Sequence, residues 1–134
     1  MGGCVMPKKA LEPLTESMYY VLLCLHAKNM SGSEIAECVR TLTSDRVRLG
    51  PGTLYSILST FEEENIIQKL EAEGRRIPYC MTTIGEQLFQ NEIQRLRKCL
   101  ADTERIHEMA EHSEADKRNE GQKSLSKKGL TKDS

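Results

Sequence analysis

The chain has 134 residues and a formal net charge of −1 at pH 7. This length suits one domain with an appendage and excludes a large two-domain enzyme. The composition includes four Tyr, two Phe and no Trp, so we expect a small, mostly aliphatic core that gains stability from an oligomer. Because the near-neutral charge lacks the domain-wide basic excess typical of nucleic-acid binders, any such signal has to be local.

Cysteines, histidines and apolar runs indicate no metal, cofactor or membrane anchor. The five Cys and three His show no metal-ligand spacing, and we expect reduced thiols in a cytoplasmic protein. No apolar run approaches the ~20 residues of a membrane span, and no signal peptide is visible. Since neither a Ser-His-Asp pattern nor a phosphate-binding loop appears, we predict no catalytic residue and no enzyme activity.

Two amphipathic helices are predicted after a flexible N-terminal arm at residues 1–13. Thr15 suits the N-cap of the first helix, which should end near Asn29. Its apolar residues recur at helical spacing and are Met18, Val21, Leu22 and Leu25. Ser31 and Glu34 have the spacing of a capping box at the start of the second helix. The predicted buried stripe of the second helix is Ile35, Val39 and Leu42.

A third helix is predicted to begin at Pro51, which suits the first helical position, and to end at Asn65 in a left-handed conformation. Its apolar face consists of Leu54, Ile57, Leu58 and Phe61. On a helical wheel the opposite face carries Gly52, Ser56, Ser59 and Glu63, flanked by Tyr55 and Thr60. The N-terminal half of this outer face is small and hydroxylated, so it suits close approach to a DNA groove or phosphate.

A β-hairpin, called the wing below (residues 66–81), is predicted next. Its strands fall at residues 66–71 and 75–81, and Glu73-Gly74 supplies the turn. Pro78 is predicted to lie on an edge strand, because proline cannot donate to a sheet ladder.

A fourth helix, capped by Thr82, is predicted over residues 83–112. Its apolar residues alternate in steps of four and three, which is a heptad-like seam suited to pairing two copies of the chain. The predicted dimerisation seam is Phe89, Ile93, Leu96, Leu100, Thr103 and His107. Residues 113–134 contain almost no apolar side chains, so a flexible polar tail is predicted there.

The order of these elements predicts a mostly α fold. Three short helices and a hairpin form a winged helix-turn-helix domain, residues 14–82, and one long C-terminal dimerisation helix follows. In such a domain the third helix enters the major groove of DNA, and the wing lies beside the phosphates. The predicted DNA-binding residues are Gly52, Thr53, Tyr55, Ser56, Ser59, Thr60, Lys69, Arg75 and Arg76.

Local charge supports an interaction with double-stranded DNA but leaves an alternative open. The basic residues near the third helix and on the wing are Arg40, Arg46, Arg48, Lys69, Arg75 and Arg76. Glu71 and Glu73 on the same hairpin dilute this charge, and charged residues also blunt exposed strands. The near-neutral charge and the acidic run at residues 62–64 favour the alternative, a winged helix that binds a protein partner without sequence-specific DNA binding.

Five sequence blocks, in order along the chain, carry a family signature. They are Leu14-Thr15-Glu16, Tyr20-Val21-Leu22-Leu23, Ser31-Gly32-Ser33-Glu34-Ile35, Gly52-Thr53-Leu54-Tyr55 and Tyr79-Cys80-Met81-Thr82-Thr83-Ile84-Gly85. On these blocks, the stretch from Leu14 to Phe89 resembles the PadR-like family of transcriptional regulators. The combination of Gly-Thr-Leu-Tyr with a later Tyr-x-x-Thr-x-x-Gly makes the resemblance specific.

The resemblance implies a homodimer that binds a pseudo-palindromic operator, usually as a repressor. Some members of the family respond to aromatic or drug-like compounds, so a small-molecule effector is also implied. Tyr55 corresponds to a phosphate or groove contact, and Arg75 and Arg76 correspond to wing contacts. This chain has Ser59 and Thr60 where a basic residue is frequent, which lowers the positive charge of the face predicted to meet DNA.

Overall fold

The structure is a computed structural model that describes residues 13–128, with side chains described for residues 13–118. The chain divides after Gln94 into two compact units. In chain order the elements are α1 (Glu16–Ala27), β1 (Met30–Ser31), α2 (Gly32–Leu42), α3 (Pro51–Glu63), β2 (Ile67–Lys69), β3 (Pro78–Met81) and α4 (Thr83–Lys128). The predicted fold class, mostly α with a winged helix and a long C-terminal helix, is confirmed.

The helix starts are set by local side chains, as predicted. At α1, the Met18 N–H donates to the Thr15 hydroxyl at 3.1 Å. At α2, the Ser31 N–H donates to Glu34 Oε1 at 2.9 Å, and the Glu34 N–H donates to the Ser31 hydroxyl at 3.3 Å, which completes the capping box. Pro51 is the first residue of α3, and Asn65 beyond its end has a φ of 61°.

β1, β3 and β2 form an antiparallel sheet in which β3 is the middle strand. Met30 pairs with Tyr79, and Ser31 pairs with Pro78. The sequence did not predict β1, because a strand of two residues shows no periodicity. The prediction that Pro78 lies on an edge strand is wrong for the same reason, since β1 pairs along the other side of β3. Proline is tolerated there as the first residue of its strand.

The core of the first unit is formed by the inner faces of α1, α2 and α3 together with the sheet and the start of α4. Its largest fully buried side chains include Phe61, Phe89, Leu22, Ile35, Leu58 and Ile66. Leu42, which the sequence placed in a buried stripe, is 57% exposed. It is the last residue of α2 and lines a surface groove beside Lys28 and Cys38. Helical periodicity identifies a face of a helix, but it does not tell whether a neighbour covers the end of that face.

The wing is joined to α4 by a compact hydrogen-bonded connection. The Thr82 hydroxyl donates to the Ile66 carbonyl at 2.9 Å and accepts from the Gly85 N–H at 3.0 Å, so Thr82 caps α4 as predicted. A Cβ added to Gly85 would collide with the Ile66 carbonyl oxygen. The Thr-x-x-Gly part of the sequence signature therefore has a packing cause: only glycine lets α4 start this close to the wing.

Phe89 belongs to the core of the first unit, which corrects its placement in the dimerisation seam. It is 1% exposed, and its ring centroid lies 5.5 Å from that of Tyr19 and 4.8 Å from that of His26. Ile93, the next predicted seam residue, is half-buried against the same core. A heptad pattern records only that a face is apolar, so it cannot distinguish a partner chain from the chain's own core.

α4 continues to Lys128, past the helix end predicted at residue 112. The segment predicted as a flexible tail is therefore helical through residue 128, and residues 129–134 lie outside the described residues. Lack of apolar side chains argues against a core position but not against a helix, because Glu, Lys, Arg and Gln are good helix formers.

Of the predicted N-terminal arm, only Pro13 is described. None of the described helices has the length and apolar character needed to cross a membrane.

Candidate nucleic-acid interface

α3 turns its small and hydroxylated residues away from the core. Leu54, Ile57, Leu58 and Phe61 are buried, as predicted. Of the residues predicted to bind DNA, those exposed on α3 are Gly52, Thr53, Tyr55, Ser56 and Ser59, and Thr60 is half-buried. The helix thus offers solvent a surface of hydroxyl groups with no cation of its own.

A cleft of about 600 Å³ lies between α2, α3 and the wing, and we call it the wing cleft. Its walls come from residues 31–34, from residues 55–62 of α3, and from residues 69–79 of the wing. Five of the predicted DNA-binding residues meet there: Tyr55, Ser59, Lys69, Arg75 and Arg76. The other four, Gly52, Thr53, Ser56 and Thr60, lie on α3 outside this cleft.

Tyr55 lies against the N-terminus of α2. Its side chain is 51% exposed, yet a Cβ added to Gly32 would lie only 2.7 Å from the Tyr55 hydroxyl oxygen. Glycine at position 32 therefore makes room for the phenol ring. As a result the Tyr55 hydroxyl, which can act as a hydrogen-bond donor, lies beside the N-terminal turn of α2.

Arg76, which the sequence predicted as a DNA contact, is ion-paired at the surface with two carboxylates of the described residues. Its Nε donates to Glu34 Oε2 at 2.9 Å, and its Nη1 donates to Glu73 Oε1 at 2.6 Å. The hydrogen bond from Arg76, with a second from the Ser31 backbone, lowers the pKa of the Glu34 carboxyl to about 2. Glu34 is therefore a stable anion at neutral pH, and it faces the wing from the start of α2.

The three arginines that precede α3 are also ion-paired. Arg40 contacts Glu37 and Asp45 with N–O distances of 2.6 and 3.3 Å, and these hydrogen bonds lower the pKa of both carboxyls. Arg46 and Arg48 each form an ion pair with an N–O distance of 3.2 Å. The local basic character predicted from these residues is therefore largely compensated by neighbouring acids.

Lys69 and Arg75 differ from the other basic residues of this surface. Both are exposed on the wing, and both line the wing cleft. Among the side chains at residues 13–118, neither forms an ion pair with a carboxylate. Electrostatic attraction of a phosphate to this face therefore depends mainly on these two residues.

The cleft residues that were not predicted as site residues include Glu34, Glu62 and Tyr79. Tyr79 is 5% exposed; burial, followed by the nearby Glu62 charge, raises the pKa of its hydroxyl. Within residues 13–118, no hydrogen bond satisfies that hydroxyl. The signal for Tyr79 was present in the Tyr-x-x-Thr-x-x-Gly block, but sequence spacing alone could not place it against α3.

Along α4, the later residues of the predicted dimerisation seam are accessible. Leu96 is 39% exposed, and Leu100 is 61% exposed. The Thr103 hydroxyl donates to the Cys99 carbonyl at 3.0 Å, so this polar position is satisfied within its own helix. His107 is exposed. Ile106 and Met109, which are not part of the predicted seam, are 57% and 62% exposed. No cluster of three or more metal-ligating side chains occurs in the part of the chain that the structure describes.

Comparison with known proteins identifies the family. The model of the transcriptional regulator PadR-like family matches residues 21–91, which is the stretch that forms most of α1, the wing cleft and the start of α4. The chain belongs to the PadR-like family. This is a family of transcriptional regulators, and the described residues have the winged-helix fold.

Solved structures agree with this PadR-like fold. A transcriptional regulator from Clostridium thermocellum superposes with a TM-score of 0.58 at 23% identity, covering 64% of this chain and 89% of that chain. A PadR family transcription regulator from Clostridium difficile gives a TM-score of 0.58 at 21% identity, covering 66% and 95%. A PadR-like transcription factor from Bacteroides fragilis gives 0.56 at 21% identity, covering 67% and 88%. At these identities the likeness concerns the fold.

A curated relative shares a shorter stretch with this PadR-like chain. It is an uncharacterized 37.1 kDa protein in a transposon of Streptomyces fradiae, 42% identical over 45 residues. The match covers 34% of this chain and spans only 13% of the relative's length.

Proposed function

We propose that this PadR-like regulator is a cytoplasmic repressor that binds a pseudo-palindromic operator in double-stranded DNA as a homodimer and is released by a small-molecule effector. The observation that carries the DNA part is the position of Lys69 and Arg75, two exposed cations without a carboxylate partner among residues 13–118. They lie beside the hydroxylated face of α3. Cations near the phosphates supply attraction, while hydroxyl groups of a helix in the major groove supply hydrogen bonds.

DNase I footprinting of the purified protein on the DNA upstream of its own gene tests this proposal. We expect a protected, roughly symmetrical site whose affinity falls steeply with salt, as phosphate contacts require. Adding aromatic compounds to the same reactions tests the effector, which should abolish protection. Absence of any preferential protection of that DNA would contradict the DNA-binding part of the proposal.

Variants of the two cations sharpen the test. Lys69→Ala and Arg75→Ala should each weaken binding to all DNA sequences. Each should reduce the slope of log affinity against log salt by about 1.8, because the homodimer loses one phosphate contact from each protomer. Arg46→Ala is the matched control, because its guanidinium is ion-paired with Glu16 at 3.2 Å. An Arg46→Ala effect on the slope as large as that of Arg75→Ala would show that general charge, and not this face, attracts the DNA.

The homodimer part of the proposal is supported by the exposure of Leu96 and Leu100 on α4. Two copies can bury such a stripe against each other by coiled-coil packing. A dimer also supplies the two reading helices that a pseudo-palindromic operator needs. Sedimentation of the full chain should give a dimer at micromolar concentration.

A second candidate function is a winged helix that binds an acidic or basic protein segment. The carboxylates of Glu34, Glu62 and Glu73, close to Lys69 and Arg75, favour it, because a mixed-charge surface suits protein partners. This candidate would be preferred if the chain protected no DNA and if α3 variants such as Ser59→Arg abolished capture of a specific partner.

A further inference from the structure

Two adjacent arginines of the wing have different surroundings. Arg75 is exposed and has no ion pair with residues 13–118, whereas Arg76 contacts two carboxylates. Glu34 Oε1 accepts from the Ser31 N–H, and Glu34 Oε2 accepts from Arg76 Nε. One carboxylate therefore closes the capping box of α2 and also binds the wing.

The part of the wing that Arg76 holds lies beyond the sheet. β2 ends at Lys69 and β3 begins at Pro78, so the residues between them lack the regular ladder. Glu73 and Arg76 exchange two backbone hydrogen bonds, at 2.7 and 3.0 Å, which close the turn. The Arg76 side chain links this closed turn to α2, because it forms an ion pair with Glu34 on that helix. A solitary exposed ion pair contributes little, but here one guanidinium joins a helix cap and a closed turn.

We propose that Arg76 is a positioning residue: its ion pair with Glu34 fixes the turn of the wing against α2 and thereby places Arg75 for the DNA backbone. This inference rests on the proposed DNA binding. A direct phosphate contact by Arg76 is disfavoured because two carboxylates already compensate the charge of its guanidinium. Glu34 also occupies the start of α2, which disfavours an anion at that helix terminus.

A double-mutant cycle on operator affinity separates the two roles. Glu34→Gln keeps a carbonyl oxygen for the capping box but loses the charge that holds Arg76. If Arg76 positions the wing, Glu34→Gln weakens binding by ~5-fold with Arg76 present. In an Arg76→Ala background the same change strengthens binding, since it removes an unpaired anion near DNA. If Glu34→Gln strengthens binding, or leaves it unchanged, both in the original chain and in the Arg76→Ala background, the positioning role is overturned.

Lysine substitutions give an independent readout. A phosphate contact needs mainly a positive charge, whereas holding two carboxylates in different directions needs the planar fork of arginine. We expect Arg75→Lys to keep the affinity and salt slope of the original chain, and Arg76→Lys to bind as weakly as Arg76→Ala. Full rescue by Arg76→Lys would overturn the positioning role.

A measurement without DNA distinguishes failure of this inference from failure of the proposed function. Amide hydrogen exchange in the free protein should become faster at Leu70 and Glu73 in the Arg76→Ala variant, and should stay unchanged in Arg75→Ala, the neighbouring control. Equal exchange in the Arg76→Ala variant and the original chain would overturn the inference. If exchange responds as expected but no DNA is bound, the proposed function fails and the link between wing and α2 stands.

Discussion

The two compact units of the chain differ in how far their apolar side chains are buried. In the first unit, Phe61 and Phe89 are at most 1% exposed. In the second unit, Leu100, Ile106 and Met109 are each more than half exposed. A helix gains most of its stability in water from burial of an apolar face. The difference teaches that the first unit holds its own core, whereas the second presents apolar surface suited to a partner.

The largest effect on stability is expected from a substitution in the core of the first unit. Phe89→Ala removes a ring that lies 5.5 Å from Tyr19 and 4.8 Å from His26, centroid to centroid. We expect the free energy of unfolding to fall by about 3–5 kcal/mol, the usual cost of truncating a buried aromatic side chain. Urea denaturation followed by circular dichroism measures it. Leu42→Ala, a change at a position of the first unit that is 57% exposed, is the control and should alter the free energy of unfolding by less than ~0.5 kcal/mol.

The next prediction concerns the second unit. Changing both Leu96 and Leu100 to Asp puts charge on the exposed apolar stripe of α4. We expect the dissociation constant of the dimer to increase by ~100-fold or more. Sedimentation over a range of concentrations measures the shift. The first unit should stay folded, because Leu96 and Leu100 lie outside its core. A chain that remains dimeric after both changes would place the dimer contact on another surface.

A smaller effect is expected where the wing meets α4. In Gly85→Ala the new Cβ collides with the Ile66 carbonyl, and overpacking of this kind costs about 1–3 kcal/mol. Gly52→Ala is the matched control, because nothing lies within 4 Å of its added Cβ. Alanine in that helical position should stabilise the chain by about 0.4–1 kcal/mol. Equal stability of the two variants in urea would contradict the close packing at Gly85.

The smallest effect is a pH dependence at the surface of the first unit. The pKa of Glu34 is lowered from its ordinary value near 4.5 to about 2, chiefly by the hydrogen bond from Arg76. A lowered pKa adds stability that is complete above the ordinary value and is lost as the pH falls towards 2. The stability advantage of the original chain over Glu34→Gln should therefore be present at pH 7 and disappear near pH 2. An advantage that is constant across this range would contradict the ion pair in solution.

Local signals predicted much of the first unit, because helix starts depend on a few neighbouring residues. Ser31 with Glu34, Pro51 and Asn65 gave three boundaries that the structure confirms. The hydroxylated face of α3 followed from spacing on one helix. Errors occurred where a second element decides the outcome: Leu42 is uncovered, and Pro78 acquires a partner strand on each side.

The candidate site could be predicted only as a set of residues. The sequence predicted both Arg75 and Arg76 as DNA contacts, since both are basic and both lie on the wing. Their difference comes from Glu34, which is 42 positions away from Arg76 in the chain and 2.9 Å away in space. No periodicity or motif links those two positions, so the pairing had to come from the fold.

The sequence by itself determined the family, the order of the helices and the wing, and most of the residues that the first three helices bury, because these depend on spacing and local caps. The tertiary structure alone decided which exposed cations remain unpaired, which tyrosine is buried at the wing cleft, and where the heptad pattern of α4 changes from the chain's own core to an exposed stripe. The physical reason is that ion pairing and burial depend on side chains brought together from distant parts of the chain, and local spacing carries no record of those neighbours.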